Sequence, residues 1–236
     1  MRRRFFVEQF VQNSAAMTGD AAHHLGRVLR AEPGQLFELS DGKTAWLGRI
    51  ELVQKERIEF ALLEPIASRE SALETTLLLS IVKFDSLEWA LEKATELGVH
   101  TIVPLAAARS EKALLHAAGK RSERWKRILL EASQQSRRVR IPELKTVQTP
   151  EQAFAQVAGC KIILSEKTDA RPLRAVLPEN AVIEAVLAIG PEGGWTDEEL
   201  AAAEAAGFRQ ASLGSLILRT ETAVISALAN LNYALG

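Results

Sequence analysis

The chain has 236 residues, 47% apolar and 25% charged, with 29 basic and 30 acidic side chains and a formal net charge of -1. That length can bury a sizeable core and suits two modest domains better than one large one. The single cysteine, Cys160, excludes an intramolecular disulfide and a thiolate metal cluster, and no apolar run approaches the ~20 residues of a membrane span.

The opening segment, Met1 to Glu8, places only three apolar residues after its arginines before the next charge, which is too few for a secretory leader. His23, His24, His100 and His116 lack zinc-ligand spacing. The expectation is a soluble, cytoplasmic protein with no metal and no membrane contact. Residues 1–70 read as short strands. Gln35 to Leu39 and Thr44 to Ile50 alternate on either side of an Asp41-Gly42 turn, and Arg57 to Leu63 follows. Closely spaced strands of this kind suggest a small β-barrel. Pro65 to Thr75 is polar and without period, as a linker would be.

From Thr76 the pattern changes to strands alternating with helices. Leu77 to Val82 is continuously apolar, as in a strand covered on both faces. Asp85 and Glu88 suit an N-cap and capping box for a helix over Ser86 to Leu97, stopped at Gly98. Val99 to Val103 is the next strand, and a long helix over Lys120 to Arg137 precedes Pro142. Lys161 to Leu164, Val186 to Ile189 and Gln210 to Leu213 complete a βαβ series, hence an α/β domain with a mainly parallel sheet over residues 76–236. Trp89 and Trp125 are expected to pack on helix faces, and Cys160 to be a buried small side chain.

The near-zero net charge conceals a segregation. Arg109 to Lys145 holds eleven basic and four acidic residues, whereas Glu184 to Glu204 holds six acids and no base. A folded chain with that distribution presents a basic surface, which suits nucleic acid.

Two glycine-bearing turns carry the chemistry. In the first, the strand ending at Ile189 meets Gly190, Pro191, Glu192, Gly193 and Gly194 and then Trp195 and Thr196 at a helix start. It is neither a dinucleotide fingerprint nor a P-loop. Pro191 removes an N–H, Glu192 adds a carboxylate, and Asp197, Glu198 and Glu199 follow, so an anionic phosphate is disfavoured and a cationic or neutral ligand fits better. Taken alone, the turn is equally well explained as a chain reversal into a helix capped by Thr196 and Glu199 and stapled by Trp195 and Leu200. The second turn is Leu213 and Gly214, followed by an apolar Leu216 to Leu218 where polar residues would be usual, and by Arg219, Thr220, Glu221 and Thr222 at the next helix start. Apolar residues in such a loop suit an aromatic heterocycle, whereas Arg219 and Glu221 alone could be a solvated ion pair.

These turns resemble those of the SPOUT class of methyltransferases, and within it the 16S rRNA (uracil-N3) methyltransferase family. The likeness covers most of the chain: Arg4 to Phe6, His24, Val28 to Arg30, Gly34, Asp41-Gly42, Lys83, Lys93 to Val99, Pro104, Arg109-Ser110, Arg124-Trp125, Gln135-Ser136, Arg138 and Ile141-Pro142. Its most specific parts are Ile189 to Gly194 and Leu213-Gly214 with Leu218 to Ala223, and its departure is Ala106 to Ala108. The resemblance implies an N-terminal PUA-like barrel, a C-terminal knotted SPOUT domain whose knot loops include the segment after Leu164, and an obligate homodimer. It also implies S-adenosyl-L-methionine held by Leu164, Ile189, Gly190, Pro191, Glu192, Gly193, Gly194, Leu213, Gly214, Leu218 and Thr222.

The implied reaction is methylation of N3 of a uridine in 16S rRNA or the assembled small ribosomal subunit. Arg219 would stabilise charge on the uracil carbonyl oxygens, and Glu221 would orient Arg219 or take the imide proton. RNA contacts are expected from Arg2, Arg3, Arg4, Arg27, Arg30, Arg109, Arg137, Arg138 and Arg140. Another RNA substrate, a non-catalytic rRNA assembly factor and, less consistently with the acid-rich turn, a nucleotide-dependent oxidoreductase remain open at this point.

Overall fold

The alternating residues around Asp41 and Gly42 form the expected hairpin. Gly42 takes the left-handed backbone (φ +85°), and Asp41 Oδ1 accepts from the N–H groups of Lys43 (2.9 Å) and Thr44 (2.8 Å). Burial opposes ionisation of Asp41, but these hydrogen bonds outweigh it and hold its carboxyl below the usual range. A computed structural model of the chain describes residues 3–67, 71–167, 169–180 and 182–236. Two units emerge, one of residues 1–70 with 133–141, the other of 71–132 with 142–236.

In the first unit, β1 (Arg4–Phe6), β2 (Phe10–Val11), β3 (Ser14–Thr18), β4 (Leu36–Ser40), β5 (Ala45–Val53) and β6 (Arg57–Ile66) form one sheet in the order β1-β4-β5-β6-β3-β2. Only the β1–β4 pairing is parallel. Register shifts between β5 and β6 curl the sheet into a half-barrel. Gly48 sits at one of them, where a Cβ would lie 2.5 Å from Leu39 Cδ1 in the core. A short helix α1 (Gly19–His23) runs into a π-helical turn (His24–Val28), which sequence pattern did not anticipate. Phe5, Met17, Leu25, Leu39, Ile50, Ile58 and Phe60 fill the concave side.

Arg4 does not reach the surface. It lies 4% exposed and donates to Glu38 Oε2 from Nε (3.2 Å) and Nη2 (2.9 Å), and to the carbonyl of Arg137. Arg137, held at φ +58°, places Nη1 3.4 Å from Glu38 Oε1. Arg138 is also 4% exposed. The Arg4 guanidinium, enclosed with Glu38 and the Arg137 carbonyl, organises its own unit, and Arg138, equally buried, presents little of itself at the surface, so the expected RNA contacts of both are not matched by exposure.

The second unit comprises β7 (Glu74–Ser80), α2 (Phe84–Glu96), β8 (Thr101–Leu105), α3 (Lys112–Ala118), α4 (Ser122–Ser136), β9 (Glu143–Leu144), α5 (Pro150–Phe154), β10 (Cys160–Leu164), β11 (Arg171–Pro172), β12 (Glu184–Ile189), α6 (Asp197–Ala205), β13 (Arg209–Ser212) and α7 (Thr220–Leu235). The last turn of α4 belongs to the first unit. The strands form a seven-stranded parallel sheet in the order β11-β13-β10-β12-β7-β8-β9. Its central strands are apolar on both sides because both are covered: Leu77, Leu79, Ile162 and Leu187 pack in one cluster with α2 and α7, while Leu78, Val103, Ile163 and Val186 pack in another with Phe154, Trp195 and Phe208. Cys160 is buried as expected, and burial pushes its thiol up.

Three local expectations are revised. Helix α2 begins at Phe84 with Lys83 as N-cap and no side-chain cap. Glu88 instead accepts from Arg124 Nε (2.7 Å) and pairs with Arg121, because a buried carboxylate gains more from guanidinium partners than from a cap. Trp125 is buried, but Trp89 is 46% exposed, since it lies on the face of α2 opposite Ala90 and Leu91. The linker over 65–75 is narrower than read: Pro65 and Ile66 end β6, Glu74 and Thr75 begin β7, and residues 68–70 lie outside the described residues.

Arg4→Met should destabilise the first unit by about 3 kcal/mol in urea unfolding, since Glu38 keeps a buried charge with only the longer Arg137 contact. Adding Glu38→Leu should restore most of that loss; no recovery in the double variant would show that the pair is not the cause.

Candidate functional site

In a parallel sheet the loops that leave the carboxyl ends of the strands share one edge, and ligands lie there. In the second unit the loops after β7, β8, β10, β12 and β13 enclose a cavity of about 1070 Å³. Leu164, Ile189, Gly190, Pro191, Glu192, Gly193, Gly194, Leu213, Gly214, Leu218, Arg219 and Glu221 all line it, so the two glycine-bearing turns are walls of one site. Thr222 is exposed and does not line it.

The first turn is fixed by its neighbours. Gly194 has φ +69° and donates to the Pro191 carbonyl (2.8 Å). Trp195 is buried against Phe154 and donates from Nε1 to the Leu164 carbonyl (2.9 Å), joining the loops after β12 and β10. A Cβ at Gly190 would lie 3.0 Å from that Nε1, so a side chain there requires the indole to give by a few tenths of an ångström. The Thr196–Glu199 capping box forms as read. Glu199 does more than cap: Oε2 accepts from Thr196 N (2.9 Å) and Oε1 from Ala108 N (2.8 Å). From the loop after β8, Arg109 Nη1 donates to the Gly193 carbonyl (2.9 Å), and Ser110 Oγ to the Ile81 carbonyl (2.8 Å). The small residues Ala106 to Ala108 thus make a backbone seam.

In the second turn Gly214 has φ +135°, a conformation that side chains rarely adopt. Leu216 and Ile217 are 80% and 79% exposed on the rim of the cavity. Arg219, the N-cap of α7, is exposed, whereas Glu221 is 8% exposed and faces the cavity. Among the described residues no ion pair joins them.

The cavity also takes in Lys83, Ser86, Ser165, Glu166, Lys167 and Asp197, none of which sequence reasoning named as site residues. The signal for Ser165 to Lys167 was their position after Leu164; Asp197 read only as a helix-start acid. Lys167 Nζ and Asp197 Oδ1 are 2.6 Å apart, and the hydrogen bond between them raises the lysine's pKa and lowers the aspartate's. Among the described residues no cluster of three or more metal-ligating side chains occurs.

Of the arginines expected to meet RNA, Arg109 belongs to this cavity. Arg3, Arg27, Arg30 and Arg140 are exposed on the first unit and Arg137 is half-buried, while Arg2 lies outside the described residues.

A description of the RNA methyltransferase domain matches residues 69–232, and one of the RNA methyltransferase PUA domain matches residues 17–63. The chain is 35% identical to ribosomal RNA small subunit methyltransferase E of Synechocystis sp. over 97% of its own length and 76% of that protein. It is 29% identical to the Bacillus subtilis protein of the same name, over 98% and 96%. The crystal structure of ribosomal RNA small subunit methyltransferase E from Neisseria gonorrhoeae bound to S-adenosyl methionine superposes with a TM-score of 0.90 at 32% identity, covering 100% of this chain and 99% of that one.

Gly190→Ala should lower the stability of the second unit by about 1–3 kcal/mol, the usual cost of overpacking, because the indole it meets is held by the Leu164 carbonyl. Thermal unfolding monitored by tryptophan fluorescence would read this out; an unchanged midpoint would mean that the indole is free to shift.

Proposed function

The chain belongs to the RNA methyltransferase family of ribosomal RNA small subunit methyltransferase E, and from that premise we propose that it methylates N3 of a specific uridine in 16S rRNA, in the cytoplasm, with S-adenosylmethionine as donor. The observation that carries this reading is the convergence of both glycine-bearing turns and the buried Glu221 on one cavity.

The residues present suit that donor. Its methyl group sits on a sulfonium, a positive centre that makes the methyl transferable to a nucleophile. The lining holds the carboxylates Glu166, Glu192, Asp197 and Glu221 alongside Lys83, Arg109, Lys167 and Arg219, and in the Gly190 to Gly194 turn a Cβ at Gly190 would press on the Trp195 indole. Ile189, Leu213 and Leu218 supply apolar contact for a heterocycle. Lys167 is paired with Asp197, which leaves Glu166, Glu192 and Glu221 around the two glycine-bearing turns to favour a ligand carrying positive charge there.

The chain's own contribution to the reaction is placement and electrostatics. The weakly acidic uracil imide must lose its N3 proton. Glu221, buried and facing the cavity without an ion-pair partner among the described residues, is the carboxylate positioned to accept it, directly or through water. Arg219, on the same helix turn but exposed, stabilises the negative charge that the deprotonated uracil places on its carbonyl oxygens. The exposed Arg3, Arg27, Arg30 and Arg140 of the PUA-bearing unit contact the RNA backbone. The family likeness adds a trefoil knot in the second unit and a homodimer. Exposed Trp89 and Tyr233, on the mutually packed α2 and α7, together with Leu216 and Ile217, supply apolar surface for a second copy.

With labelled S-adenosylmethionine and small subunits never methylated at the target, the protein should place one methyl group on N3 of a single 16S uridine. Label on another base or another RNA would redirect the assignment, and cofactor binding without any transfer would favour an assembly role. Arg219→Ala and Glu221→Gln should each reduce kcat by about 10²–10³ with cofactor affinity changed only a few-fold; full turnover in either would remove that residue from the chemistry. Sedimentation at micromolar concentration should give a dimer, and a monomer would contradict the proposed second copy.

A further inference from the structure

The cavity exceeds the roughly 300–1,000 Å³ that usually holds one small ligand, and its lining changes character along the sheet edge. Strand order places the loops in the sequence β13, β10, β12, β7, β8. Over β13, β10 and β12 lie the apolar turn with Arg219 and Glu221, then Glu166 and Lys167, then the glycine turn with Glu192 and Asp197, four carboxylates against two cations. Over β7 and β8 the lining residues are Lys83, Ser86 and Arg109, with no carboxylate. Asp85 and Glu111, their neighbours in sequence, are exposed and do not line the cavity.

The two cations at this end differ from the other two that line the cavity, since Arg219 stands two residues before the buried Glu221 at the start of α7. Lys167 is neutralised by Asp197 at 2.6 Å. Among the described residues neither Lys83 nor Arg109 forms an ion pair, although Asp197, already bound by Lys167, is near enough for the charge of Arg109 to act on it. Arg109 is nonetheless fixed: its stem lies on Gly193, where a Cβ would be 3.3 Å from Arg109 Cβ, and Nη1 is bound to the Gly193 carbonyl. One of five guanidinium N–H groups is thereby committed, and the planar group is oriented before a ligand arrives. A fixed guanidinium, an ammonium without a counter-ion and the Ser86 hydroxyl, all from loops that bring no carboxylate to the lining, favour an anion at that end.

We infer that Lys83 and Arg109 form a phosphate subsite for the nucleotide undergoing methylation, an inference that rests on the RNA methyltransferase reading above. The anion an RNA brings next to its base is the backbone phosphodiester. Seated over β7 and β8, that phosphate directs the displaced base toward the middle of the cavity, between the glycine turn and Glu221. Lys83 and Arg109 are positioning residues: they touch the substrate away from the reacting atoms.

Lys83 is the cleaner test, because it is exposed and ties no loop together. With unmethylated small subunits as probe, Lys83→Gln should reduce the slope of log affinity against log salt by about 0.7–0.9, the contribution of one phosphate contact. It should also raise KM for the subunit about tenfold, as loss of a charged hydrogen bond does, with kcat within about twofold and S-adenosylmethionine affinity unchanged; Lys83→Arg should restore the slope. An unchanged slope overturns the subsite, as does cofactor affinity that falls in step with KM, which would move Lys83 to the donor's half of the cavity. Wild-type protein that transfers no methyl group would fail the catalytic reading, while the salt slope would still decide this one.

Discussion

The site depends on a carboxylate with both oxygens committed. Glu199 accepts from Thr196 on one side and from Ala108 on the other, so a residue that locally only starts a helix also joins loops from two strands. The Trp195 indole N–H does the same toward the loop after β10. The Glu199 contacts lie outside the cavity lining, while Trp195 and Leu164 are part of it. Together they define that volume, because the glycine turn between them has little side chain with which to hold itself. Glycines let a backbone approach a ligand closely and leave it entropically loose; the flanking Trp195, Glu199 and Arg109 restore order from outside.

Charge is arranged along the same edge. All four lining carboxylates follow β10, β12 or β13, together with Lys167 and Arg219, whereas the loops after β7 and β8 bring only the cations Lys83 and Arg109, so an overall charge of -1 conceals a pocket whose two ends differ in charge. A methyl donor of positive character and a polyanionic acceptor can then occupy one cavity without competing for the same wall. In the first unit arginine has the opposite use. Arg4 is enclosed with Glu38 and the Arg137 carbonyl, and satisfies the polar groups of the half-barrel.

Much of this was legible in the residues, and the exceptions share a cause. The strands β7, β10 and β12 announced themselves as short apolar runs because a sheet covered on both faces needs no polar alternation. The Thr196–Glu199 box and the Asp41-Gly42 hairpin are local, and local chemistry predicts them. Glu88 was misread as a cap because its partners, Arg121 and Arg124, lie more than thirty residues away. Arg4 and Arg138 were misread as surface cations for a similar reason, since composition counts charges without showing which are enclosed. Lys83 and Lys167 went unnamed as site residues because strand order, which brings their loops to one edge, is a non-local property. Trp89 shows the reverse error, a large apolar residue that a helix carries on its outer face.

Cys160 is the chain's only thiol, and it lies 1% exposed with burial making it harder to ionise. Thiol-directed reagents act on accessible thiolate, so the natural protein is chemically silent toward them. A cysteine introduced at an exposed position such as Leu216 or Arg27 would therefore be the sole reactive group. Fluorophores or spin labels could be attached to the cavity rim and the PUA-bearing unit, singly or as a pair in one molecule, with no need to remove a native residue first. The spacing between those points, with and without RNA, thereby becomes directly measurable.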